Sequence, residues 1–243
     1  MWRVGTVVAL NDETETARTL KLEILEWPGH VAGQHVDVRL TASDGYSAVR
    51  SYSIASAPNS KGRVEITVER LPNGEVSPYL TQNVAIGDRL ELRGPIGGWF
   101  VWRAEQNEPI QLIAGGSGIV PLRAMIRSRI SAGGTAPFRL LYSVREPGAV
   151  FYRDELQALS NKDNAVTVTY AYTRATPKDW PRPPGRIDAA LITSATWSSN
   201  LGPTSYVCGP TSFVERVAGF LASLGNSPGK IRTERFGPTG DRK

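Results

Sequence analysis

A run of glycines, Gly115-Gly116-Ser117-Gly118, leads into Ile119-Val120-Pro121 directly after an unbroken apolar stretch, Ile110 to Ala114. Glycines let a backbone come close to a pyrophosphate. A helix N-terminus adds unpaired N–H groups and the positive end of a dipole. Pro121 suits a first helical turn, where its missing N–H is not needed. The run lacks the G-x-G-x-x-G spacing, so taken alone it is equally a tight strand-to-helix turn. Two further runs hold comparable chemistry. In Arg50-Ser51-Tyr52-Ser53, an arginine can bind phosphate, a tyrosine can stack on a flat ring, and a serine can hydrogen-bond a ring nitrogen. The same four residues fit an ordinary strand with a buried tyrosine. Gly74-Glu75-Val76-Ser77 fits either a hairpin end or a helix start whose N–H groups hold a phosphate.

The elements that must position these runs differ between the two halves of the chain. Apolar residues alternate at Leu20, Leu22 and Ile24, at Val36, Val38 and Leu40, at Val64, Ile66 and Val68, and at Leu90 and Leu92. Period-two alternation marks strands with one buried face. Met1 to Asn11 reads as a further strand. Turn signals such as Pro28-Gly29, Asp44-Gly45 and Gly87-Asp88 separate these strands. Evenly spaced short strands without a helical stretch predict a small antiparallel barrel or sandwich. After Ala104 to Glu108 the rhythm changes. Apolar strands at Ile110–Ala114, Phe138–Ser143, Val166–Tyr172 and Tyr206–Cys208 alternate with helical stretches. The first helix carries Leu122, Met125, Ile126 and Ile130 on one face. The others are expected at Arg153–Leu159, Ile187–Ile192 and Phe213–Leu224, with Pro177 to Gly185 a surface loop. Alternating strands and helices predict a parallel sheet covered on both faces. The expected organisation is an antiparallel β-barrel over residues 1–105 and an α/β domain over 106–243.

Composition narrows the function. The 243 residues are 40% hydrophobic and 21% charged, with no apolar run near the length of a membrane span. The N-terminus is too short and too weakly charged for a signal peptide. One cysteine, Cys208, cannot form an internal disulfide or a four-cysteine iron–sulfur site, and His30 and His35 are the only histidines. A reducing, cytoplasmic setting is expected, with no resident metal and any redox chemistry left to an organic cofactor. Residues 1–107 hold 11 basic and 13 acidic side chains, residues 108–243 hold 17 and 10. The basic second half fits an anionic ligand or an acidic partner, or simply a solvated surface. No nucleic-acid motif accompanies its dispersed arginines.

The order of the pieces adds to this reading. Arg50-Ser51-Tyr52-Ser53, Thr67-Val68-Glu69-Arg70, Gly74-Glu75-Val76-Ser77 and Gly94-Pro95-Ile96-Gly97 resemble the flavin barrel of the ferredoxin–NADP reductase family. Gly115 to Pro121, Cys208-Gly209-Pro210 and Glu234-Arg235-Phe236 resemble that family's pyridine-nucleotide domain. The resemblance spans nearly the whole chain. It implies that Tyr52 lies against the isoalloxazine and Ser53 bonds near flavin N5. It implies that Arg50, Gly74, Val76 and Ser77 hold the flavin phosphates, while Thr67, Val68 and Glu69 line the ring and ribityl chain through backbone. Gly116, Ser117 and Pro121 would receive the nicotinamide nucleotide. Cys208 and Glu234 would sit beside the hydride path, and Phe236 would cover the flavin and move aside for nicotinamide. Gly237 to Lys243 follow Phe236, whereas the plant-type enzymes end on their aromatic residue. No aromatic residue stands near Asn73 to stack the adenine of FAD, which leaves FMN as the lesser alternative.

The resemblance implies a flavoprotein reductase that moves hydride between NAD(P)H and FAD and passes electrons to a separate acceptor, such as a ferredoxin. The alternatives are a free-standing flavin or quinone reductase with a small-molecule acceptor, and a non-catalytic nucleotide-binding regulatory module. NADPH is expected over NADH. Ser143 and Arg145 end one parallel strand and Arg174 follows the next, where ligands of parallel sheets bind, so the three can clamp a 2′-phosphate. Glu146 could instead accept a ribose hydroxyl. Phe236 lies in a terminal segment rich in Gly, Pro and charge, where core packing is not expected.

Overall fold

The computed structural model describes residues 1–58, 62–161 and 166–237. The N-terminal half is a six-stranded antiparallel sheet. Its strands are β1 (Trp2–Thr14), β2 (Ala17–Ile24), β3 (His35–Thr41), β4 (Ser47–Ser53), β5 (Arg63–Glu69) and β6 (Arg89–Ile96), in the order β4-β3-β6-β1-β2-β5. The alternating residues that mark these strands point inward. Leu20, Leu22, Val36, Val38, Val64, Ile66 and Val68 are all without exposed surface and form one core. Register shifts in β1 against β2, at Val7/Ala9 and Asp12/Thr14, curl the sheet. Among the described residues its two edges approach at a single bridge, Ile54 to Ile66. The result is barrel-like with an opening beyond that bridge. Of the two readings of Gly74-Glu75-Val76-Ser77, the helix start holds. A helix does occur in this half, α1 (Ser77–Gln82). At six residues it is too short to show a helical period in sequence.

The C-terminal half is a parallel five-stranded sheet of β7 (Ile110–Gly115), β8 (Phe138–Val144), β9 (Val166–Tyr172), β10 (Thr204–Pro210) and β11 (Ile231–Phe236), in the order β11-β10-β7-β8-β9. Helices α2 (Ile119–Ser131), α3 (Arg153–Asn161), α4 (Ala189–Ala195) and α5 (Thr211–Ser223) accompany it. Two separate apolar clusters line its faces. α2 is more deeply set than one apolar face requires, since Val120, Arg123, Ala124 and Arg129 are buried as well. Ile130, expected on the buried face, is 49% exposed. It falls in the last turn, where the helix leaves the core. The chain runs outward from β7 through β8 to β9, then returns to β10 on the other side of β7. The crevice between the carboxyl ends of β7 and β10 is therefore the switch point where open α/β sheets bind ligands.

A polar seam joins the halves. On α2, Arg123 and Arg127 each bridge Glu65 of β5 and Glu155 of α3, at 2.6–3.1 Å. The Arg123 guanidinium also lies 3.9 Å from the ring centre of Tyr152. The Tyr152 hydroxyl donates to Thr67 Oγ1 at 2.5 Å, and Thr67 in turn meets Thr19 at 2.7 Å.

Candidate functional site

The glycine run sits at the switch point. Gly116 has φ +56, a conformation that favours glycine, and a Cβ there would meet nothing. Gly118 is glycine for another reason. A Cβ on it would lie 2.1 Å from the Cys208 carbonyl oxygen. The loop is thus pressed against the end of β10, which brings Ser117 and Gly116, both half-buried, beside Cys208. Pro121 is buried in the first turn of α2 and can shape the loop without reaching a ligand by a polar group.

A second set of residues surrounds the opening of the N-terminal sheet. Arg50 and Tyr52 lie on edge strand β4, and Thr67, Val68 and Glu69 on edge strand β5. The bridge at Ile54 does not extend into these residues, so both edges offer unpaired backbone groups there. Val68 is buried in the core and the Thr67 hydroxyl is committed to Tyr152, which leaves backbone as what these two can present. Tyr52 is half-buried, and burial pushes its phenol well above the ordinary range, so it stays neutral. Gly74 to Ser77 form the start of α1, not a hairpin end. A Cβ on Gly74 would lie 2.8 Å from Ser77 Oγ and 3.2 Å from the Leu71 carbonyl oxygen, so a side chain there would have to displace the Ser77 hydroxyl. Ser77 Oγ accepts from the Leu71 N–H at 3.0 Å, and the Val76 side chain is buried, so Val76 also has only backbone to offer. Arg50 reaches Glu75 at 2.9 Å, and the Tyr46 hydroxyl donates to the other Glu75 oxygen at 3.2 Å. Tyr46, at the β3–β4 turn and 58% exposed, was not marked by the sequence. It is distant in sequence from Asn73, and only the hairpin brings it there.

The two halves approach at His35 of β3 and Glu234 of β11. His35 stands opposite Ser53 in the β3–β4 ladder, and Cys208 beside Glu234 in the β10–β11 ladder. His35 Nδ1 is 3.9 Å from Glu234 Oε1. Burial raises the Glu234 carboxyl to about 7, and its Oε2 is buried without a hydrogen-bond partner. Burial, and then the Glu234 charge, push the Cys208 thiol far up, so this cysteine is a neutral packing group and not a thiolate. Burial lowers the His35 imidazole, partly offset by Asp37. Phe236 ends β11 beside Pro210. It is half-buried against the C-terminal core, so the expectation that it lacks core packing is not met. Register in β11, a strand the sequence did not mark, accounts for the difference.

The remaining predicted residues cluster elsewhere. Ser143, at the end of β8, is buried. Just beyond it, the Arg174 N–H donates to the Arg145 carbonyl at 2.8 Å, holding the two arginines side by side. Both are exposed, and neither has an ion pair among the described residues. Glu146 is exposed next to them.

These residues fit a flavin and a pyridine nucleotide. The orphaned Glu234 oxygen is a buried acceptor awaiting a donor, the Gly74 loop and Arg50 suit phosphate, and the Gly116 loop lies at the switch point. Comparisons with known proteins agree. Residues 8–101 match the oxidoreductase FAD-binding domain and residues 112–219 the oxidoreductase NAD-binding domain. The chain is 28% identical over 239 residues to the ferredoxin–NAD(P)(+) reductase component of the naphthalene 1,2-dioxygenase/salicylate 5-hydroxylase systems of a Ralstonia species, covering 97% of this chain and 69% of that one. It is 28% identical over 225 residues to the toluate 1,2-dioxygenase electron transfer component of Pseudomonas putida, covering 92% of this chain and 64% of that one. In fold it resembles the flavohem-like FAD/NAD binding domain of nitric oxide dioxygenase from Vibrio cholerae, with a TM-score of 0.85, 23% identity and coverage of 97% and 99%. No helix among the described residues is long and apolar enough to cross a membrane. With one domain model matching each half, the chain belongs to the ferredoxin–NADP reductase-like family of NAD(P)H-dependent flavoprotein oxidoreductases.

Proposed function

We propose that the chain takes hydride from NADPH onto FAD and delivers the electrons singly to a separate small redox protein of ferredoxin type. The observation that carries this reading is the seam, where His35, the ladder neighbour of Ser53 in one half, lies 3.9 Å from Glu234, the ladder neighbour of Cys208 in the other. A flavin supplies the change from two-electron to one-electron transfer. The chain's own residues bind, orient and exclude water. Arg50, with the backbone of Gly74, Val76 and Ser77, holds the flavin phosphates. Tyr52 packs on the ring, the edges of Thr67, Val68 and Glu69 line the chain below it, and Ser53 faces the reacting edge. Tyr46 is the aromatic surface for the adenine. Gly116, Ser117 and Pro121 seat the nucleotide, Phe236 screens the site, and Ser143, Arg145 and Arg174 clamp the 2′-phosphate.

Two arginines held together, with no carboxylate partner among the described residues, support NADPH over NADH. The ratio of kcat/KM for NADPH and NADH tests this. It is expected to exceed about tenfold, and to fall by about tenfold in Arg145→Ala, the scale of one lost charge-assisted contact. A wild-type preference for NADH contradicts the clamp. The relatives named as dioxygenase reductase and electron transfer components support a protein acceptor. Reduction of cytochrome c by the chain should therefore depend on added ferredoxin. Quinone reduction that outpaces ferredoxin reduction would make the small-molecule reading correct.

A further inference from the structure

Arg50 does not stand free at the mouth of the N-terminal sheet. Its Nη2 donates to Glu75 Oε2 at 2.9 Å and its Nη1 to the Val49 carbonyl at 2.8 Å. The Tyr46 hydroxyl donates to Glu75 Oε1 at 3.2 Å, so both carboxylate oxygens have a partner. The loop that carries Glu75 is held at its base. The Gly74 N–H donates to the Leu71 carbonyl at 2.9 Å, and the Leu71 N–H to Ser77 Oγ at 3.0 Å. Val76 and Ser77 are buried, while Glu75 turns outward and across to β4. The Arg50 and Glu75 side chains are 52% and 53% exposed. An ion pair so open to water contributes little to stability. Its effect falls instead on whatever binds between Arg50 and the loop, because a carboxylate fixed there acts on the charge of that ligand.

We propose that Glu75 selects FAD against FMN at the flavin site. The proposal deepens the reductase reading and rests on it for the place of the flavin phosphates, at Arg50 and the backbone of Gly74, Val76 and Ser77. With Glu75 paired to it, Arg50 brings no net charge to that place. The phosphate of FMN is a monoester and carries about −1.5 to −2 on one phosphorus at neutral pH. Each phosphorus of FAD is a diester with a single negative charge and no second ionisation. A carboxylate beside the phosphate therefore opposes FMN more than FAD. A site with Arg50 alone would hold the more highly charged monoester at least as well. The discrimination is a repulsive one, in which Glu75 costs FAD little and its competitor more. Tyr46 supplies the attractive half. Its hydroxyl touches the same carboxylate, and its ring is the surface for an adenine that FMN lacks. Glu75 and Tyr46 thus act in one direction at one place, the first against the mononucleotide and the second for the dinucleotide.

Flavin partition tests this. The full chain is equilibrated with an equal excess of FAD and FMN, and the bound flavin is released and counted by chromatography. Wild type is expected to hold FAD almost alone. Glu75→Gln keeps the size of the side chain and loses its charge. It is expected to lower the ratio of bound FAD to bound FMN about tenfold, the scale of one charge-assisted contact. Separate titrations should show FMN tightening by about that factor and FAD changing little. Riboflavin, which has no phosphate, should bind as it does to wild type. Glu75→Asp, which keeps the charge, should stay near the wild-type ratio. An unmoved ratio in Glu75→Gln, a weaker FMN, or a riboflavin affinity that shifts along with the others would overturn the selection. A wild-type chain that takes up no flavin would overturn the flavin reading and the selection with it. FAD uptake with an unmoved ratio would overturn the selection alone.

Discussion

At the scale of single residues, the clearest commitment lies in the triad Tyr46, Glu75 and Arg50 at the mouth of the N-terminal sheet. Arg50→Ala removes a charge-assisted contact and is expected to weaken FAD binding tenfold or more, by about 1.5–3 kcal/mol. Tyr46→Ala is expected to weaken FAD but leave FMN binding unchanged, since FMN has no adenine to stack. Equal losses for both flavins would place Tyr46 elsewhere than at the adenine. Titration calorimetry on flavin-free chain measures both. Glu234 makes a prediction about stability. Its carboxyl rises from 4.5 to about 7 on folding, so the folded chain holds a proton that the unfolded chain releases. Stability is then fully present below about pH 4.5 and is lost as pH climbs through 7. Glu234→Gln should melt near wild type at pH 5 and several degrees higher at pH 8, a difference that thermal unfolding reads directly. Motif residues stood out in sequence through their order along the chain, since each run alone fits an ordinary strand or turn. Tyr46 and His35 were not, because nothing in a turn tyrosine or a strand histidine tells what a distant segment will bring to it.

At the scale of elements, alternation revealed the strands whose faces differ most. Leu20, Leu22 and Ile24 or Val64, Ile66 and Val68 are buried while their neighbours are not, and that contrast is the signal. β11 escaped because five of its six residues are half-buried, so Ile231 to Phe236 show no contrast. α1 was only one of two readings of Gly74 to Ser77, because its six residues are too few to show a helical period. Yet these two elements place Glu234, Phe236, Val76 and Ser77. The cost of missing β11 shows in Phe236, whose ladder position gives it core contacts that a loose tail would lack. Because the ring is only half-buried, Phe236→Ala should cost well short of the about 3–5 kcal/mol of a fully buried phenylalanine. It should change the rate of flavin reduction or nucleotide affinity severalfold. A large fall in melting temperature with unaltered reduction kinetics would make Phe236 a structural residue alone.

At the scale of the whole molecule, function depends on two sheets being held at one seam, and sequence patterns say nothing about that. Arg123 is buried at 7% side-chain exposure, between Glu65, Glu155 and the Tyr152 ring. Removing it leaves two carboxylates short of a partner, so Arg123→Ala should destabilise the chain by about 3 kcal/mol. Arg127, at 32% exposure, should cost less when replaced. Denaturant unfolding of the two variants gives the order, and equal small losses would show that the seam is held by apolar contacts instead. The order of the motifs, through the family resemblance, implied a flavin site in one half and a nucleotide site in the other. The structure adds the contact between them, from His35 to Glu234. The central claim is that the nucleotide reduces a flavin across this seam, and it is tested most directly by adding NADPH or NADH to the FAD-loaded chain under nitrogen while following its visible absorbance. The account predicts one FAD per chain and complete bleaching by one equivalent of nucleotide; a chain that binds no FAD, or whose bound FAD stays oxidised with both nucleotides, would contradict it.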